Sequence, residues 1–288
     1  MRIISIPVPP DCDGMTVRAF VRSHLGLSAR VLTKQKHHEN GLLRGGQPCR
    51  SIDVLYAGDI FTINIPEEPA AYEAHDIPID ILYEDDDYLV VDKSPRMPVH
   101  PSPGHDRDSL LNAVAYHYQL KGAHTSFRPL YRLDRDTSGI LIAAKHRLAV
   151  SSAVLQKYYS AVCEGELKGN GTVDLPIRRT ENSKIKREVG GNRRAVTHWK
   201  ALGYDRGHTL LKIHLETGRT HQIRVHLSHI GFPLAGDDLY GGSRNRIKRQ
   251  ALHLAEVQLT CGVVGMNQTF KAELPEDIRM SFPDFRGR

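Results

Sequence analysis

The sequence predicts an α+β protein built in two parts. Short apolar alternations bounded by glycine, proline and aspartate recur along the chain, and long helical periodicities are few. Pro66-Glu67-Glu68-Pro69-Ala70-Ala71 suits neither a helix nor a strand, so it reads as a linker. At 288 residues, a small domain followed by a large one is the expected arrangement. Residues 1–66 form the first domain, 67–79 the linker and 80–288 the second.

In the first domain, Val17, Phe20, Val21 and Leu25 fall at helical spacing, with Thr16 as N-cap and Gly26 as stop. A second helix starts at Ser28, with Val31 and Leu32 inward and Arg30, Lys34 and Lys36 outward. Gly41-Leu42-Leu43-Arg44-Gly45-Gly46-Gln47 is a strand-turn signal, and Ala57-Gly58-Asp59 leads into the alternation Ile60 to Ile65.

The second domain opens near Asp80 with two strands, Ile81 to Tyr83 and Tyr88 to Lys93, joined by the acidic turn Glu84 to Asp87. That turn is expected to be a solvated hairpin tip. Tyr131 to Gly139 form a charged turn that feeds the apolar run Ile140 to Ala144, a buried strand. Between Arg178 and Arg194, Arg178, Arg179, Lys184, Lys186, Arg187, Arg193 and Arg194 face only Glu181 and Glu188. This hairpin-like stretch, with Gly190-Gly191 as its turn, carries most of the net charge of +6.

Composition narrows the function classes. Hydrophobic residues make up 40% and charged residues 25%, as in globular domains. The longest apolar runs fall far short of the roughly 18 residues of a membrane-spanning helix. Pro7, Pro9 and Pro10 interrupt the N-terminus before a secretory apolar region could form, so the cytoplasm is the expected compartment. Cys12, Cys49, Cys163 and Cys261 have no Cys-x-x-Cys spacing, which argues against a zinc ribbon or a disulfide framework. No phosphate-binding Gly-x-x-x-x-Gly-Lys loop and no Gly-x-Ser-x-Gly elbow occurs. Neither a metal nor a cofactor is expected, and the excess of Lys and Arg suits a partner rich in phosphate.

Specific chemistry is concentrated in Arg132-Leu133-Asp134-Arg135-Asp136-Thr137-Ser138-Gly139, a carboxylate flanked by two arginines. This run resembles the Arg-Leu-Asp-x-x-Thr-Ser-Gly motif of RluA-type pseudouridine synthases. Other blocks resemble that family in the same order: Asp92-Lys93 with Val99-His100-Pro101, then Lys157-Tyr158-Tyr159-Ser160-Ala161, then Thr217-Gly218-Arg219-Thr220-His221-Gln222-Ile223-Arg224. Gly236-Asp237-Asp238-Leu239-Tyr240-Gly241 and Leu252-His253 follow. The resemblance runs from about Asp80 to the C-terminus. The first 66 residues resemble an S-four-like RNA-binding module, through the helix start at Thr16, Leu27-Ser28-Ala29-Arg30 and Ala57-Gly58-Asp59-Ile60-Phe61. Two positions depart from the family pattern: Tyr131 stands where histidine is usual, and Arg96 where glycine is usual.

The resemblance implies a catalytic domain on a mixed, mostly antiparallel sheet with flanking helices, preceded by a small α+β RNA-binding module. It implies that RNA is the partner and that uridine is isomerised to pseudouridine. Asp134 would be the catalytic carboxylate, as a nucleophile on the sugar or on the base, or as a base toward the ribose. Arg219 would pair with Asp134 and hold it ionised. Tyr159 would stack on the target uracil and help remove the proton from carbon 5. Arg132 would fill the space left by the extruded base or hold the adjoining phosphate. Arg30, Lys34, Lys36, Lys184, Lys186 and Arg187 would carry much of the RNA affinity.

Other readings are weaker. His221, His226 and His229 lack the ligand company and spacing of a zinc pair. A glycosidase needs two carboxylates on opposite sides of the scissile bond, and Asp136 follows Asp134 too closely in one turn. A catalytically silent RNA-binding or ribosome-associated protein would share the fold, but it would not need Asp134, Tyr159 and Arg219 together. A monomer without a protein partner is expected. The front module favours a large structured target, ribosomal RNA ahead of transfer RNA, because a second grip raises affinity only when the RNA reaches both sites.

Overall fold

A computed structural model describes residues 2–285 apart from 36, 39, 67–71, 124 and 125. Lys36 and most of the expected linker therefore lie outside the described residues.

The first unit is a four-stranded antiparallel sheet in the order β1-β4-β2-β3, formed by β1 (Arg2–Pro7), β2 (Leu42–Arg44), β3 (Gln47–Pro48) and β4 (Ile60–Ile65). Two short helices cover it. Thr16 caps α1 (Val17–Ala19) by accepting the Ala19 amide at 3.2 Å; the helix widens into a π turn over Phe20–His24 and ends before Gly26 in the left-handed region. The second is α2 (Ala29–Gln35). Phe20 meets the edge of Phe61 at 5.7 Å in the core. Gly45 and Gly46 both have positive φ, as the tight turn between β2 and β3 requires.

The larger unit is a ten-stranded mixed sheet. Its main path runs β10 (Asn170–Asp174), β13 (Val196–Asp205), β14 (His208–Leu215), β9 (Val154–Glu164), β15 (Leu252–Cys261), β8 (Ser138–Ala144), β6 (Tyr88–Lys93) and β5 (Asp80–Glu84). Strand β7 (Arg128–Pro129) pairs with β8, and β16 (Met266–Lys271) with β15. Among the described residues, β15 and β8 are the parallel pair, and the other ladders are antiparallel. The flanking helices are α3 (Leu110–Leu120), α4 (Arg147–Ser151), α5 (Gln222–His229) and α6 (Glu276–Ser281). Every residue of β8 is buried, as the apolar run predicted. None of the helices among the described residues is long and apolar enough to cross a membrane.

Two local expectations are corrected. The acidic turn is not a solvated tip, because its first and last acids face inward. Asp87 is buried, taking Arg2 Nε at 2.9 Å and His146 Nε2 at 2.7 Å, while Glu84 takes His117, Lys121 and Lys145 at 2.6 to 2.9 Å. Burial alone would raise both acids, yet these hydrogen bonds hold each at about 2. The Arg2 contact also fastens β1 to the larger unit. The basic stretch is indeed a hairpin, β11 (Ile177–Arg179) against β12 (Arg187–Val189), but its turn spans 180–186. Gly190-Gly191 lies beyond β12, packed beneath the Arg178 side chain, and is not the turn.

Candidate active site

Asp134 sits in the loop that leads into β8, and buried cations hold that loop from beneath. Lys93, almost wholly buried at the end of β6, donates to the carbonyls of Ser94, Met97 and Arg135 at 2.8 to 3.0 Å. Burial lowers its pKa to about 7, but three carbonyls use all three hydrogens of an ammonium, so the geometry fits the charged form. Arg249 donates to the Asp136 carbonyl at 3.0 Å and to Ser138 Oγ at 3.2 Å, and Asp277 of α6 holds its other edge at 2.6 and 2.8 Å. Gly139 then enters β8 at φ +112°, where a Cβ would strike the Leu254 backbone of the parallel neighbour β15. The glycine of the motif is therefore a steric requirement.

The carboxylate meets its guanidinium partner across the cleft. Arg224 Nη1 donates to Asp134 Oδ2 at 3.1 Å, and its Nε and Nη2 hold the buried Asp237 at 2.6 and 2.8 Å. Burial works against the charge on Arg224, but Asp237 and Asp134 outweigh it and raise its pKa. Asp237 thus aims the arginine, and the arginine aims Asp134, whose side chain remains 25% exposed at the cleft.

The expected pairing of Arg219 with Asp134 is corrected: that position belongs to Arg224. Arg219 is exposed in the loop before α5, and its Nε donates to the Arg194 carbonyl at 3.0 Å. Helix geometry explains the exchange. Gln222 closes the loop by accepting from the Arg219 amide and from Thr217 Oγ1 and donating to the Val196 carbonyl and Thr197 Oγ1, so the chain turns helical only after Arg219 has passed. Arg224 lies inside a helix whose neighbours Ile223, Val225 and Leu227 are buried. An arginine in that setting needs a buried counter-charge, a signal that the motif reading, which chose Arg219, did not use.

Tyr159, on β9 between Ile213 and Leu254, is buried against the same cleft. Burial, and then the charge of Asp134, push its hydroxyl pKa upward, so it is a neutral phenol. It can stack and donate, whereas direct removal of a proton would need the phenolate that these surroundings disfavour. Tyr131 donates to the Ile140 carbonyl at 2.9 Å, with Lys157 Nζ 4.8 Å from its ring centroid. Arg132 is exposed at the cleft; burial, and then the Arg132 charge, lower the pKa of His100.

His221 also lines the cleft, its Nε2 3.8 Å from Asp134 Oδ2. Both ring nitrogens of His226 are engaged, with Thr197 Oγ1 at 2.9 Å and the Leu175 carbonyl at 3.0 Å. Among the described residues, the group close enough to share an ion is Asp11, Cys12 and His24, in the first unit. The expected RNA contacts are dispersed: Arg30 is exposed and Lys34 half-buried on α2, while Lys184 and Lys186 stand exposed in the β11–β12 turn. Arg187, half-buried, folds its guanidinium onto the carbonyls of Ile185 and Lys186 at 3.0 and 3.2 Å.

A sequence profile described as RNA pseudouridylate synthase matches residues 87–229. The chain is 41% identical to "Uncharacterized RNA pseudouridine synthase YjbO" of Bacillus subtilis (strain 168), a match covering 92% of this chain and 97% of that protein. It is 37% identical to "Ribosomal large subunit pseudouridine synthase D" of Zymomonas mobilis, covering 78% of each chain. The fold is similar to the structure titled "Human RNA Pseudouridylate Synthase Domain Containing 1", with a TM-score of 0.58 at 24% identity over 68% of this chain and 83% of that one.

Proposed function

The chain belongs to the RNA pseudouridylate synthase family, and from that premise we propose that Asp134 is the reacting carboxylate and that ribosomal RNA supplies the uridine. The protein is an isomerase that converts uridine to pseudouridine in RNA. The observation that carries the choice of Asp134 is its setting: among the residues lining the cleft it is the one carboxylate, fixed by Arg224 and next to Tyr159.

The chemistry fits this arrangement. The reaction breaks the bond from ribose to the ring nitrogen, turns the base and rejoins it through carbon 5. A carboxylate held by an arginine can attack the sugar or the base, or take a proton from the ribose, and each course needs the same aimed oxygen. A stacked uridine must first leave its stack, at about a few kcal/mol. Arg132 at the cleft is suited to fill the space it leaves, and the face of Tyr159 to receive the uracil ring.

Ribosomal RNA is favoured by the relatives named for the ribosomal large subunit, from Zymomonas mobilis and Pseudomonas aeruginosa. The first unit, with Arg30 and Lys34 on α2, supplies a second grip of the S-four-like kind, and the β11–β12 hairpin a third. On this reading the protein acts as a monomer in the cytoplasm. Pseudouridine mapping in total RNA from cells with and without the gene tests the proposal. Loss of a ribosomal RNA site, restored by the wild-type chain and not by Asp134→Asn, is expected. Loss of a transfer RNA site alone would contradict the target, and loss of none would favour a silent binder.

A further inference from the structure

We propose that Tyr240 is a positioning residue that links the basic hairpin to the catalytic carboxylate, its hydroxyl setting the ring of His221 toward Asp134. The inference rests on Asp134 as the reacting group and adds to it the means by which a bound RNA backbone acts on that group.

The hydroxyl has two partners, one that donates to it and one that can accept from it. The Arg187 amide of β12 donates to Tyr240 Oη at 2.9 Å, and His221 Nδ1 lies 2.8 Å from the same oxygen. A backbone N–H can only donate, so the hydroxyl accepts from Arg187, and of its two partners Nδ1 is the one that can take its single hydrogen. An imidazole that accepts at Nδ1 carries its hydrogen on Nε2. That N–H faces Asp134 Oδ2 at 3.8 Å, beyond a direct hydrogen bond but within the cleft where the uracil must lie. Burial lowers the pKa of His221, which keeps the ring neutral. The charged groups around it are Asp134 from the loop, Arg224 from α5, Arg187 from β12 and Asp237 ahead of the Asp238–Tyr240 turn.

The surroundings hold this arrangement in one state. His221 adopts φ 58° and ψ 20°, a left-handed backbone unusual for a residue with a side chain, at the entry to α5. Tyr240 is buried, with the Arg224 guanidinium 5.0 Å and the Lys186 ammonium 5.9 Å from its ring centroid, and Ser228 Oγ donating to its carbonyl at 2.7 Å. One side chain therefore lies between the hairpin, through the Arg187 amide, and the arginine that aims Asp134. A phosphate drawing on the exposed lysines of the hairpin turn would bear on β12, and through the Arg187 amide on Tyr240 and His221.

The test is single-turnover release of tritium from carbon 5 of uracil in a large-subunit ribosomal RNA transcript, with RNA affinity and thermal midpoint measured on the same full-length proteins. Tyr240→Phe keeps the ring and removes the hydroxyl. It is expected to slow turnover about tenfold or more while leaving affinity within about twofold and the midpoint unchanged. His221→Asn, which tolerates the left-handed backbone, should slow turnover similarly, and the double variant should be no slower than His221→Asn alone. Turnover in Tyr240→Phe within about twofold of wild type, or a double variant that multiplies the two losses, would overturn the link. So would a loss matched by weaker RNA binding or a fallen midpoint. Asp134→Asn run alongside keeps the premises apart: turnover there overturns the choice of carboxylate, whereas wild-type turnover in Tyr240→Phe beside an inactive Asp134→Asn overturns the link alone.

Discussion

Arg224 holds Asp134 with one edge, at 3.1 Å, and is itself held by Asp237 along the other, at 2.6 and 2.8 Å. The motif contains two arginines, and only the one inside the helix reaches the carboxylate. Arg224→Lys keeps a positive charge but loses the fork that spans both acids, so turnover should fall by about a hundredfold, as when an aimed donor is removed from an active site. Arg219→Ala, whose guanidinium lies on the Arg194 carbonyl, should cost less than about tenfold and act mainly on RNA affinity. Single-turnover rates set against binding constants for both variants check this, and the reverse ranking would contradict it.

Backbone constraints around the site make opposite predictions for two positions. Gly139→Ala forces a methyl into the Leu254 backbone where β8 and β15 run side by side, and should destabilise the fold by about 3 kcal/mol or more. Arg96 holds φ 64°, a backbone that glycine adopts freely, so Arg96→Gly should relieve left-handed strain of about 1–2 kcal/mol, less the added freedom of the unfolded chain, for a net gain of up to about 1 kcal/mol. Urea unfolding of the two variants measures both signs.

Acid should weaken the fold in two steps. Buried His253, between Ser138 Oγ and the Ala272 carbonyl, has its pKa pushed by burial from 6.5 to about 4. The unfolded chain therefore binds that proton first, and stability falls as pH drops from about 6.5 toward 4. Glu84 and Asp87, held at about 2, contribute stability that is complete above the ordinary carboxylate range and is lost as pH falls from about 4 toward 2. Thermal midpoints across this range should decline in that order, and a flat profile from pH 7 to 4 would contradict it.

The hairpin turn should act on all RNAs alike. Replacing Lys184, Lys186 and Arg187 with glutamine should weaken binding to unrelated RNAs by similar factors. It should also flatten the dependence of log affinity on log salt by about 0.7–0.9 for each phosphate that is no longer neutralised. Unchanged affinity and slope would make the cluster a solvated loop.

The parts legible in the sequence were those set by local chemistry. Thr16 caps its helix, Gly45-Gly46 make their turn and Ile140 to Ala144 form a buried strand because each signal lies within a few residues. Strand β1 left no such mark: its alternation is short, it ends at Pro7, and its partner β4 lies almost sixty residues away. The acidic turn was misread because only the tertiary fold brings Arg2 and His146 to Asp87. At the site, Asp134 and Tyr159 come together in one cleft from separate blocks. The choice between Arg219 and Arg224 turned on where a helix begins, and the motif alone does not mark that boundary.

The role of Asp134 stands or falls on tritium release from carbon 5 of uracil by Asp134→Asn, measured together with its RNA affinity. This variant keeps the shape of the side chain and removes the charge that Arg224 holds. No detectable release is expected, with affinity within about twofold of wild type, because binding rests on dispersed basic residues and the reaction on one carboxylate. Release at a rate comparable to wild type would contradict that role.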